Sequence, residues 1–230
     1  MSRLIRSRRL PLLAALLVSV APAFAQLPTG SRINPTPGAV GQIEDSDPAT
    51  AIRVMNSYGR CVARNRPDFA ATVLSFPVRS PEQWRAVYHG IGGGDRCLGD
   101  NDVTMTVRAP LLAGAMAEWL ILSRHRDADL AGISAMPEER MAEIGLAPRT
   151  AYEDVALCVA RLDPSGIRAL IDTDPASPQE RAILRRIVPS LGSCLPEGQA
   201  FTFGPPSLRG LLAVGLYRVL STVSSLAERN

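Results

Sequence analysis

Cys61-Val62-Ala63-Arg64 returns 97 residues downstream as Cys158-Val159-Ala160-Arg161, and each of these cysteines is followed 36 positions later by another, in Cys97-Leu98 and Cys194-Leu195. Matched intervals make self-similarity the first property to test. The same offset brings Pro67 onto Pro164 and Ser80-Pro81 onto Ser177-Pro178. After a three-residue insertion the offset becomes 100, where Leu111-Leu112-Ala113 meets Leu211-Leu212-Ala213 and Leu120 meets Leu220. The chain therefore reads as a tandem duplication.

A duplication separates inside from outside, because a buried position must stay apolar in both copies while an exposed one is free to drift. Apolar in both are Val62 with Val159, Ala63 with Ala160, Ala70 with Ile167, Val73 with Leu170, Leu74 with Ile171, Ala86 with Ile183, Val87 with Leu184, and Ile91 with Val188. Under the second offset Leu112, Ala113, Met116, Trp119 and Leu120 pair with Leu212, Ala213, Leu216, Val219 and Leu220. Steps of three and four are a helical period. The expected fold is all-α, a tandem duplication of a disulfide-closed repeat of about four helices.

Helix starts agree. Ser80-Pro81-Glu82-Gln83 and Ser177-Pro178-Gln179-Glu180 each offer an N-cap serine, a proline at the first helical position, and a Gln or Glu that returns a hydrogen bond. Asp163-Pro164 opens another helix in the same way. Val103-Thr104-Met105-Thr106-Val107 and Ala200-Phe201-Thr202-Phe203 are rich in strand formers and are the candidates for a small β ladder between the copies.

Outside the copies, the chain opens with Arg3, Arg6, Arg8 and Arg9, continues through an apolar stretch over residues 10–23, and reaches Ala23-Phe24-Ala25. That is the three-part pattern of a secretory signal peptide, with cleavage expected after Ala25 and a periplasmic or secreted product. Its 14 apolar residues fall short of the ~20 needed to span a membrane. The expected organisation is a signal peptide over residues 1–25 and a flexible, proline- and glycine-bearing leader over 26–48. Repeat one follows over 49–122, a connector with a short helix at 137–145 fills 123–149, and repeat two covers 150–226. No transmembrane segment is expected after cleavage, since the most apolar stretch, residues 111–122, is short and holds Glu118.

Loss of the four leading arginines and no acid takes the formal charge from +3 to −1. A near-neutral chain without a lysine or a dense arginine cluster lacks the footprint of a nucleic-acid binder, so no nucleic-acid partner is expected. In an oxidising compartment the four cysteines read as disulfides. Pairing within each copy, Cys61 with Cys97 and Cys158 with Cys194, is favoured because a unit that later duplicated was first self-sufficient. Loop entropy puts each bridge at about 3.8 kcal/mol. No Cys-x-x-Cys or clustered histidines suggest metal, and no motif implies a cofactor.

Trp84, Tyr88 and His89 share the helix opened by Ser80, and their partners in copy two are Arg181, Arg185 and Arg186. Arginines mark an outer face, which in copy one is aromatic; this is the candidate binding surface for a protein or small-molecule partner. The competing reading is that leader or connector covers it. Arg64 and Arg161, identical in the copies, read as structural ion-pair formers rather than anion sites. Gly90-Ile91-Gly92-Gly93-Gly94-Asp95 reads as a helix end and turn, since no strand precedes it and no Gly-Lys-Ser follows. No catalytic motif surrounds His89 or His125. A non-catalytic binding or interaction module is therefore expected. Asp95, Asp100 and Asp102 sit in a turn region where solvated carboxylates are expected; the alternative is a small secreted hydrolase using carboxylates with help from His89.

Cys158-Val159-Ala160-Arg161, the Ser177-Pro178 opening, Cys194-Leu195, and Leu208-Arg209-Gly210-Leu211-Leu212 leading to Leu216-Tyr217-Arg218 together resemble exported proteins of alphaproteobacteria, sphingomonads in particular. The likeness covers roughly residues 50–225. It carries no activity and therefore assigns no residue a role. Copy one departs from it with Ala117-Glu118 where copy two has Tyr217-Arg218.

Overall fold

The computed structural model describes residues 33–35, 47–91, 97, 103–105, 107–196, 198 and 201–229. The expected cleavage site, the glycine turn after Ile91, and Asp95, Asp100 and Asp102 lie outside them. The described chain is mainly helical. Four helices come first: α1 (Pro48–Asn65), α2 (Pro67–Ser75), α3 (Pro81–Gly90) and α4 (Ala109–Arg124). Two short connector helices follow, α5 (Leu130–Ser134) and α6 (Glu138–Glu143), of which only the second was expected. Four more complete the chain: α7 (Ala151–Leu162), α8 (Pro164–Ile171), α9 (Pro178–Ser193) and α10 (Pro205–Ala227). Helix α1 begins at Pro48, the last residue of the expected leader, with Asp47 as its N-cap.

Local chemistry explains where the helices start. Ser80 Oγ accepts from Gln83 N at 3.1 Å and Ser177 Oγ from Glu180 N at 3.0 Å. In return, Gln83 Oε1 accepts the Arg79 N–H at 3.0 Å, and Glu180 Oε2 accepts that of Ala176 at 2.7 Å. These bonds hold Arg79 and Ala176 at φ of 62° and 60°, a left-handed conformation that costs a non-glycine residue roughly 1 to 2 kcal/mol. Thr150 caps α7 by the same device, with Glu153 reaching back to Arg149 N at 2.8 Å.

The core is continuous across both sets of helices, and the most extensive packing is between α4 and α10. The two helices touch at Gly114 and Gly210. A methyl group on Gly114 would collide with the Gly210 backbone, so glycine is required for the axes to come this close. Helix α1 lies on α4 with Gly59 against Ala115, and α7 lies on α10 with Ala156 against Gly215. Leu112, Met116, Leu120, Leu212, Leu216 and Leu220 are all buried.

Cys61 is bonded to Cys97 and Cys158 to Cys194, each over a separation of 36 residues. Each bridge ties the helix carrying the first cysteine (α1 or α7) to the chain that follows the third helix of its set.

Two expectations need correction. Among the described residues the ladder between the copies is not formed: Val103–Met105 (β2) pairs antiparallel with Ile33–Pro35 (β1), with Asn34 opposite Thr104. Residues 201–204 are irregular, because Phe201 stacks on Phe203 and both meet the edge of Tyr152, so side chains rather than a ladder fix that segment. Val188 is 54% exposed while Ile187 is buried, because α9 runs on to Ser193 and its inner stripe follows Glu180, Leu184 and Ile187. By length and composition alone, α10 is long and apolar enough to cross a membrane. Its Leu208-to-Tyr217 stretch is buried among α4, α7 and α8.

Candidate functional site

On α3, the buried positions are Gln83 and Val87, which turns Trp84 and Tyr88 outward. They are 53% and 64% exposed and stack on one another, ring centroids 5.1 Å apart and planes 7° from parallel. His89 meets the edge of Tyr88 at 5.7 Å and is exposed. Arg181, Arg185 and Arg186, at the equivalent positions under the offset of 97, are likewise exposed on α9. Below the aromatic face, Arg66 donates to Gly90 O at 2.6 Å and lies over the Phe69 ring, which anchors the end of α3.

A second concave feature was not foreseen. A cleft of about 330 Å³ opens where α6, the 146–148 loop, α7 and the end of α9 meet over the Cys158–Cys194 bridge. Its walls include Met141, Leu146 and Leu157, with Asp154 and Arg161 on the α7 side. Arg161 meets Glu138 at 3.8 Å, whereas Arg64, its counterpart on α1, lies over the Trp119 ring.

The buried charges are structural. Arg209 on α10 donates to Glu118 through Nε at 2.6 Å and Nη2 at 3.1 Å, to Glu180 at 3.2 Å, and to the Ile171 and Thr173 carbonyls. Arg60 and Asn56 of α1 complete the shell of Glu118 at 2.6 and 3.0 Å. Burial works against the Arg209 charge, but Glu118 and Glu180 outweigh it, holding the guanidinium above its ordinary value. The cluster ties α1, α4, α9 and α10 together. Glu153 is the second such centre: burial raises its carboxyl, yet hydrogen bonds from Arg149, the charge of Arg218 and the Val78 N–H together hold it below the usual carboxylate range.

His125 caps the end of α4, with Ser224 Oγ 3.3 Å from Nδ1 and the Tyr217 ring at its edge. Burial, and then the charge of Arg124, lower its pKa. No carboxylate orients the ring among the described residues, so the pair lacks the third member of a nucleophile relay. Nor does any described acid join His89. Among the described residues no group of three or more metal-ligating side chains converges.

Comparison with models of known families, with curated proteins and with solved structures finds no match. The two disulfides are consistent with a periplasmic or extracellular location.

Proposed function

We propose that the chain is exported, cleaved after Ala25, and acts in the periplasm or outside the cell as a non-catalytic binding module. Its partner-facing surface is the Trp84–Tyr88 face of α3. The observation that carries this reading is the exposure of two large, mutually stacked rings on a well-packed helix. Such a pair presents rigid apolar area at little cost in side-chain entropy, the property that enriches aromatics at interfaces. We also propose that the two four-helix sets descend from one duplicated unit. In support, Arg79 and Ala176 share their unusual backbone at the offset of 97, and Asn56 with Glu118 stands where Glu153 with Arg218 stands in the second set.

The test is cross-linking in the native periplasm with photoreactive groups on α3, followed by mass spectrometry. A defined partner captured by the wild type and lost in a Trp84→Ala/Tyr88→Ala variant of unchanged melting temperature is expected. Equal capture by both proteins contradicts the assignment of this face.

A further inference from the structure

The cleft beside the Cys158–Cys194 bridge has an arrangement of charge that the aromatic face does not explain. Asp154, Leu157, Cys158 and Arg161 follow one another along one face of α7 at steps of three, one and three, and all line the cleft. The acid and the base are seven residues apart, about 10.5 Å along the helix axis. Leu157, Met141 and Leu146 lie in the apolar walls. The trough therefore carries a carboxylate at one end, Arg161 with the exposed Glu138 carboxylate beside it at the other, and apolar side chains in the middle.

Neither charge is satisfied as a structural pair would be. Arg161 is 21% exposed, and Glu138, the carboxylate nearest it, stands at 3.8 Å, beyond hydrogen-bonding distance, with its own side chain 84% exposed. Asp154 is exposed, and among the described residues no basic side chain lies within ion-pair distance of it. In the first set of helices the matching Arg64 is occupied over Trp119. The volume falls within the range of small-ligand sites.

We propose that this cleft binds a short free peptide with apolar side chains, its C-terminal carboxylate on Arg161 and its N-terminal ammonium on Asp154. An extended chain advances about 3.3 to 3.6 Å per residue, and the arginine side chain leans back toward the helix N-terminus, so two to three residues span the distance. Blocked peptides lose one charge pair each and are rejected at that end.

Calorimetric titration of the mature, oxidised protein with Ala-Leu-Ala tests this, alongside the N-acetylated and the C-amidated forms. Saturable binding of the free peptide is expected, weakened at least tenfold by either block. Asp154→Asn should erase the penalty for acetylation alone, and Arg161→Ala that for amidation alone, with Arg161→Lys retaining part of it. Thermal melts confirm that each variant is folded. No saturable binding, equal affinity of free and blocked peptides, or binding indifferent to both substitutions overturns the proposal.

Discussion

Arg209 illustrates how a single residue shapes the interior. It is buried with Glu118 and Glu180 as its carboxylate partners, so removing it leaves two acids without their principal counter-charge. Arg209→Ala is expected to cost about 3 to 5 kcal/mol in denaturant melts, the range for breaking a buried pair from one side. Arg181→Ala, on the exposed face of α9, should stay within about 0.5 kcal/mol. A second residue sets the response to acid. His125 titrates lower in the folded protein than its free value near 6.5, so the unfolded chain binds the proton more readily and stability falls as pH drops below that value. Glu153, also depressed, adds a further loss at pH below the ordinary carboxylate range. Melting temperature measured from pH 7.5 to 3 should thus decline in two steps, and His125→Gln should flatten the upper one. Neither partner set was legible in the sequence. Glu118 showed only as a break in an apolar stretch, because Arg209, 91 residues away, reaches it only once α4 and α10 have crossed.

The crossing of α4 and α10 decides most of the packing, and here the pattern of apolar positions read well. Leu112, Met116, Leu212 and Leu216, chosen for being apolar in both copies, are fully buried. Leu216→Ala should cost about 2 to 5 kcal/mol in the same melts, as large-to-small changes in a packed core do. Gly114→Ala, which adds one methyl group against the Gly210 backbone, should cost about 1 to 3 kcal/mol by forcing the helices apart. The glycines carried no warning in the sequence, because the positions matched by the two offsets differ: Gly114 corresponds to Val214 and Gly59 to Ala156. The strand-forming segments misled for a different reason. Intrinsic preference marked residues 103–105 and 201–203 alike, but pairing depends on which chain lies alongside, and Ile33–Pro35 takes that place for the first while Tyr152 holds the second through its ring.

For the molecule as a whole, the cysteine intervals were enough to place the bridges, because pairing within a repeat follows from local spacing, whereas the sequence left open whether the aromatic face is covered. The cleft was not legible, since it forms only where the connector folds back on α7 and the end of α9. Both sets of helices share one core through α4 and α10, and unfolding of the oxidised protein by guanidinium decides whether that holds. Both tryptophans, Trp84 and Trp119, belong to the first set, so their fluorescence reports on it alone, while far-ultraviolet circular dichroism reports on all the helices. A shared core predicts a single transition with the same midpoint by both signals. Two resolved transitions, with fluorescence following only one of them, would show that the sets fold as separate units and contradict it.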